Sequence, residues 1–150
     1  MPSRDEKRAG AGVLGDAKAT LVDLIEGFGS GDLRDVWVLD ERTEEALYVR
    51  DDVSENIADV DVERYMDNER YGFVTRETYN QLHYSEFAYT LRGFDSWELF
   101  RTFLVDEGTK VGVLCSFDRR PGGFDYSLLN DEIQSLTDDY DVAAFAPSDD

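Results

Sequence analysis

The sequence contains one cysteine, Cys115, and only three lysines among its 150 residues. A single cysteine excludes an intramolecular disulfide and any zinc site built from several thiolates. The sequence has no apolar run of about 18 residues, the length that indicates a membrane-spanning helix. Its first residues also lack the apolar segment of a secretion signal. We therefore expect a cytoplasmic protein with no membrane partner.

Motifs of the common nucleotide-binding and hydrolytic sites are also missing. There is no GxxxxGK[ST] loop for phosphates and no GxSxG turn for a serine nucleophile. The stretch GAGVLG at 10–15 has the glycine spacing of a dinucleotide-binding loop, but no strand precedes it. A Cys–His nucleophile pair would need His83, the only histidine, beside Cys115. Cys115 alternates with Val113 and Phe117, as a buried strand residue does. Because these motifs are missing and the cysteine has a structural explanation, we expect no catalytic and no cofactor-binding residue.

Negative charge dominates the residues that are present. The chain has 34 acidic residues against 15 basic ones, which gives a net charge of −19. In 1 M salt the Debye length falls to about 3 Å, so neighbouring carboxylates repel each other much less. This composition is typical of haloarchaeal proteins, which work in molar salt; an acidic interaction module of a mesophile is the alternative. The only compact basic cluster is RRPGG at 119–123, which is too short a track for nucleic acid.

Hydrophobic periodicity divides the chain into helices and strands. We interpret residues 1–12 as a disordered tail, 13–146 as one domain and 147–150 as an acidic tail. The pattern predicts helices over 14–28, about 60–70 and 129–140, and strands at 36–39, 46–49, 87–92, 97–105 and 110–117. Residues 73–85 fit a helix or a loop, and 142–146 fit a short edge strand. The expected fold is α/β (α+β), a five-stranded mixed or antiparallel sheet with helices packed on it, in the order α-ββ-α-βββ-α.

The stretch ADVDVERYMD at 58–67 has the carboxylate density of a metal site. A calcium-binding EF-hand loop beginning at Asp59 would need glycine at its sixth position and glutamate at its twelfth. The sequence has Arg64 and Arg70 there. A helix with an apolar stripe, capped by Asp59 or Asp61, explains the same residues. We therefore expect no metal site.

Paired carboxylates, which general acid–base catalysis uses, occur at Asp51 and Asp52 and again among Asp138, Asp139 and Asp141. A chain with 34 acidic residues produces such pairs by chance.

The order of elements over about 13–140 resembles the roadblock and longin scaffolds, which implies dimerisation and binding of small GTPases or other regulators. LRDVWVLDERTEEALYVRDDV at 33–53 and GVLCSFD at 112–118 resemble a family of small acidic haloarchaeal proteins of unknown function, over about two thirds of the chain. That second resemblance implies lineage and fold, and no catalytic residue.

The strand at 97–105 carries large apolar side chains on both faces, which favours a central strand or one covered by a helix or another subunit. The many aromatic residues fit either an aromatic-rich core or an interaction surface, since Tyr and Trp are enriched at interfaces. We therefore expect a non-enzymatic protein–protein interaction or regulatory module, a homodimer or partner of another protein through this strand or a sheet edge. The expected interface residues are Trp97, Leu99, Phe100 and Phe103. The alternative is a small-ligand sensor with an aromatic pocket between sheet and helices, and a carboxylate-based enzyme ranks last.

Overall fold

The computed structural model describes residues 14–57, 61–83 and 86–148. Its helices are α1 (Asp16–Gly29), α2 (Asp51–Ile57), α3 (Val62–His83) and α4 (Tyr126–Ser135). Its strands are β1 (Leu33–Leu39), β2 (Glu44–Val49), β3 (Tyr89–Gly93), β4 (Trp97–Val105) and β5 (Lys110–Asp118). Short 3-10 helices lie at Ser30–Asp32, Leu136–Asp138 and Val142–Phe145.

The five strands form one antiparallel sheet in the spatial order β2-β1-β5-β4-β3. The expected class, one sheet with helices packed on it, is confirmed. The spatial order of the strands differs from their order along the chain, which is the only order that the sequence predicts: the last strand, β5, lies at the centre of the sheet. The element order also differs, since two helices, α2 and α3, stand where the prediction had one.

One face of the sheet is covered by α1 and α4. Leu21 and Ile25 of α1 and Leu129 and Ile133 of α4 are fully buried in the larger hydrophobic core, together with sheet residues such as Phe117. These side chains recur at helical spacing, which is why the sequence predicts both helices. Apolar burial of this kind contributes roughly 1.5–3 kcal/mol for each large side chain.

Residues 142–146, for which the sequence predicts an edge strand, instead form a 3-10 helix at Val142–Phe145. Both Val142 and Phe145 are buried against the α1 and α4 side of the core. Residues three apart lie on opposite faces of a strand but on the same side of a 3-10 helix. Burial of both side chains therefore excludes the strand.

The other face of the sheet is covered by α3, which packs through Met66 and Phe73 in a second core cluster with Leu39, Leu99, Phe103 and Leu114. The helix predicted over about 60–70 extends further than expected, because α3 continues to His83 and residues 73–83 take the helical alternative. A Cβ on Gly72 would lie 2.6 Å from Arg101 Cζ and 2.8 Å from Phe103 Cζ. Gly72 therefore allows α3 to approach β4 closely, and it does not end the helix.

Replacement of Gly72 by alanine is expected to lower the free energy of unfolding. Alanine favours a helix by roughly 0.5–1 kcal/mol over glycine, but overpacking of a buried contact costs about 1–3 kcal/mol. Gly27→Ala in α1 is the matched control, since a Cβ there meets no atom within 4 Å. Urea unfolding of both variants should show destabilisation for Gly72→Ala and slight stabilisation for Gly27→Ala. Equal effects would contradict the close approach.

Candidate functional site

The four residues expected at an interface lie in β4, which pairs with β3 on one side and β5 on the other. Leu99, Phe100 and Phe103 are buried within the chain, because helices cover both faces of this strand. Trp97 is half-buried and stacks on Phe94 with ring centroids 4.2 Å apart. Of the two locations expected for a partner, strand 97–105 or a sheet edge, the edge remains accessible.

The sheet has two edge strands, β2 and β3. The β2 edge lies near other parts of the chain, since the Glu45 carboxylate accepts hydrogen bonds from Lys18 Nζ at 2.7 Å and from the backbone N–H of Ser148 at 3.0 Å. β3 pairs with β4 and with no second strand of the described residues. Its sequence, YTLRG, contains a single charge, the positive Arg92. Edge strands are usually protected from pairing by charges, proline or bulges, and β3 has little of this protection.

Both α3 and β3 carry exposed apolar side chains. Tyr71 and Val74, one helical turn apart, are 71% and 65% exposed. Tyr79 and, on β3, Leu91 are also exposed, and Tyr79 stacks on Phe87 with centroids 5.6 Å apart. We call Tyr71, Val74, Tyr79 and Leu91, with the free edge of β3, the α3–β3 surface. Leu91 pairs with Phe100 and therefore lies on the α1/α4 face of the sheet, whereas Tyr71, Val74 and Tyr79 belong to the helix on the other face. Exposed apolar groups beside an open strand edge favour an interaction site there.

Beneath this surface, a buried ion-pair cluster joins α3 to the edge of the sheet. Glu69 is 1% exposed, and its carboxylate accepts from Arg101 Nη1 at 2.8 Å and from Arg92 Nη1 at 2.5 Å. Arg101 also donates to Thr90 Oγ1 at 3.2 Å. Burial lowers the pKa of Arg101, and the charge of Glu69 opposes that effect. The cluster therefore fixes α3 against β3 and β4, and it positions the α3–β3 surface.

Sequence reasoning missed Glu69. The signal that could have found it is a charged residue on the apolar stripe of α3, three positions after Met66 and four before Phe73. A charge on a buried stripe requires a partner of opposite charge nearby. The partners themselves, Arg92 and Arg101, lie on neighbouring strands and are brought together only by the β3–β4 register, in which Thr90 faces Arg101.

The other residues that the sequence singles out do not come together. Cys115 is buried on β5, and burial raises the pKa of its thiol well above the usual value, so a reactive thiolate is disfavoured. His83 is the last residue of α3. Asp59 lies outside the described residues, and Asp61 accepts a hydrogen bond from the backbone N–H of Arg64 at 3.1 Å, as a helix cap does. Within residues 14–57, 61–83 and 86–148, no cluster of His, Cys, Asp and Glu is arranged to hold a metal ion.

One member of the paired acids, Asp52, and one residue of the basic loop, Arg120, take part in local ion pairs. Asp51 and Asp52 begin α2, and Arg50 bridges Asp52 and Asp118 at 2.6 Å each. Hydrogen bonds from Arg50 lower the pKa of both carboxyl groups. In the loop at 119–123, Arg120 pairs with Asp32 at 2.7 Å. Asp52, Asp118 and Arg120 are therefore paired within the chain.

Comparison with known proteins gives a family and a fold. The sequence profile of a family described as "Domain of unknown function (DUF7522)" matches residues 19–138. No significant match is found among curated proteins. In the described part of the chain, no helix combines the length and apolarity needed to cross a bilayer.

Two solved structures share the architecture. Myxococcus xanthus MglB is 12% identical and superposes with a TM-score of 0.56 over 83% of this chain and 98% of its own. A structure described as "MglB with tetrameric arrangement" is 10% identical, with a TM-score of 0.54 over 85% of this chain and 94% of its own. Identities this low show the fold alone. The neighbours are of the roadblock/longin type, which confirms the scaffold expected from the order of elements.

Proposed function

The chain belongs to the DUF7522 family, and from that premise we propose that it is a non-enzymatic regulatory module that binds protein, first of all a second copy of itself, in a salt-rich cytoplasm. The observation that carries the proposal is the α3–β3 surface. An open strand edge offers unpaired N–H and C=O groups, and the apolar side chains of α3 extend the contact beyond the backbone. The roadblock-type fold supports a regulatory or interaction role.

A second copy of the chain suits this surface because of its charge. Two chains of net charge −19 repel each other unless the contact avoids carboxylates. Tyr71, Val74, Tyr79 and Leu91 are uncharged, and Arg92 is the one charge on β3. Antiparallel pairing of β3 with β3 of another copy places the same patch on both sides of a two-fold axis, as closed homodimers require. One MglB structure is described as a tetrameric arrangement, which supports association of this type of scaffold.

Light scattering after gel filtration in molar KCl tests the proposal. We expect a mass near twice 17.1 kDa for the natural chain. The double variant Tyr71→Asp/Val74→Glu is expected to raise the dimer Kd at least about tenfold, since exposed apolar anchors supply much of an interface's energy and like charges across it repel. Leu128→Glu, at a 48% exposed apolar residue of α4, is the matched control and should leave the mass unchanged. A monomeric natural chain at high micromolar concentration would overturn the proposal.

We also infer that the protein is not an enzyme. A general acid or base works best with a pKa near the operating pH. The carboxyl groups of Asp52 and Asp118 have pKa values below their usual range. Burial raises the pKa of Asp35, but that carboxylate is already engaged by hydrogen bonds from Ser116 and Trp37. The thiol of Cys115 is buried and its pKa is raised. These are properties of structural groups, and they support a binding role.

A further inference from the structure

A cavity of about 270 Å³ lies between the sheet and helices α2 and α3, away from the α3–β3 surface. Trp37 and Trp97 form part of its sheet side, Met66 and Tyr65 belong to α3, and Val53 belongs to α2. Its volume lies close to the lower end of the range for small-molecule pockets, about 300–1,000 Å³. An apolar cavity of this size that also contains polar groups is the usual form of a small-molecule site.

A β-bulge brings two opposite charges to this cavity. The register between β1 and β5 slips by one residue between Leu33 and Asp35. Consecutive strand residues normally face opposite sides of a sheet, but Arg34 and Asp35 both line the cavity. Bulges often redirect side chains next to functional sites.

Arg34 has an unused donor. Its side chain is 17% exposed, its guanidinium lies 4.7 Å from the centroid of the Trp97 ring, and its Nη1 lies 3.6 Å from Asp118 Oδ1. The Nε atom is buried, and no acceptor among the described residues lies within hydrogen-bonding distance. A buried charged donor without an acceptor is costly, so an anionic oxygen in the cavity would be favoured here.

The carboxylate of Asp35 can accept a further hydrogen bond. Its carboxylate accepts hydrogen bonds from Ser116 Oγ at 2.6 Å and from Trp37 Nε1 at 3.2 Å. A carboxylate has about four acceptor positions, so it can take a further donor. Burial nevertheless raises the pKa of Asp35, because these bonds and Arg34 do not fully replace water around the charge. An ammonium group beside Asp35 would stabilise its ionised form.

We propose that this cavity binds an apolar α-amino acid, with the ligand carboxylate on Arg34, the ligand ammonium beside Asp35, and the ligand side chain between the two tryptophans and α3. A zwitterion meets both charges at once, and an apolar side chain suits the tryptophan and methionine lining of the cavity. The site lies within a single chain and does not depend on self-association.

Tryptophan fluorescence reports directly on this site, because the chain has only two tryptophans and both line the cavity. We would titrate the protein in molar KCl with L-leucine and L-phenylalanine, exciting at the red edge, where phenylalanine does not absorb. Phenylacetate, which lacks the ammonium, and phenethylamine, which lacks the carboxylate, are the comparison ligands. We expect saturable emission changes with L-phenylalanine, and at least tenfold weaker binding of both comparison ligands. No saturation by either amino acid, or a preference for L-phenylalanine below tenfold, would overturn the proposal.

Two variants test the contributions of Arg34 and Asp35 to binding separately. Arg34→Gln and Asp35→Asn are each expected to weaken binding of L-phenylalanine at least tenfold, and Asp35→Asn should leave phenylacetate binding unchanged or tighter. Arg120→Gln is the matched control, since Arg120 also lies over an aromatic ring, that of Phe124 at 4.0 Å, but outside the cavity. Unchanged binding in both charge variants would overturn the assignment. If a variant does not fold by circular dichroism, the comparison of ligands on the natural chain decides the question alone.

Discussion

Glu69→Ala is expected to lower the free energy of unfolding by about 3–5 kcal/mol, because removing one partner of a buried ion pair leaves the other charge unpaired in a dry site. Arg101 is 4% exposed and would lose the carboxylate 2.8 Å from its Nη1. Urea unfolding at fixed KCl measures the change. Glu77→Ala is the control, since Glu77 pairs with Lys110 on the surface and such pairs contribute about 0–1 kcal/mol.

The double variant Glu69→Met/Arg101→Met removes both charges of the cluster's most buried pair. Replacement of a buried pair by apolar residues is often neutral or stabilising, so we expect this variant to recover much of the loss. A loss below about 1 kcal/mol for Glu69→Ala would show that water reaches the cluster and screens Arg101, because exposed pairs contribute no more than that. The attachment of α3 to β3 and β4 would then rest on apolar contacts alone.

Loss of structure at low salt is the second large effect that we expect. The 15 basic residues can neutralise at most 15 of the 34 acidic ones, which leaves a net charge of −19 on a domain of 150 residues. At 0.1 M salt the Debye length is about 10 Å, long enough for neighbouring surface carboxylates to repel each other, and near 1 M it is about 3 Å. Far-UV circular dichroism over a KCl series should therefore show unfolding below roughly a few tenths molar.

A variant with fewer negative charges tests whether repulsion between carboxylates causes the loss of structure at low salt. Asp138, Asp139 and Asp141 are exposed and follow α4 closely, so Asp138→Asn/Asp139→Asn/Asp141→Asn removes three charges with little change in packing. We expect its unfolding midpoint to lie at lower KCl than that of the natural chain. Full retention of structure without salt, or an unchanged midpoint in the variant, would contradict the electrostatic explanation and the proposed salt-rich setting.

The sequence predicts an element well where the fold buries the same side chains that form the element's hydrophobic pattern. Helix α1 and strands β4 and β5 lie where periodicity predicts them, because each buries the side chains that define its pattern. The two-faced apolar character of 97–105 agrees with the position of β4 inside the sheet, between β3 and β5. The sequence leaves open what covers the second face of this strand, because it does not distinguish a helix of the same chain from a second subunit.

The elements that the sequence misses depend on contacts distant in the chain. Gly72 resembles a helix end by local propensity, but contact with Arg101 and Phe103 requires glycine there. The bulge at Arg34 arises from the pairing of β1 with β5, which the sequence alone does not show. For the same reason the cavity charges and the α3–β3 surface could not be located before the sheet order was known.

Hydrogen exchange at two protein concentrations in molar KCl tests the central claim, self-association through the α3–β3 surface, most directly. The account predicts that backbone amides of β3 exchange more slowly at high micromolar than at low micromolar concentration, as those at the outer edge become paired. Amides of β2, the other edge strand, should exchange at the same rate at both concentrations. Exchange in β3 that does not depend on concentration, or protection that appears in β2 instead, would contradict the account.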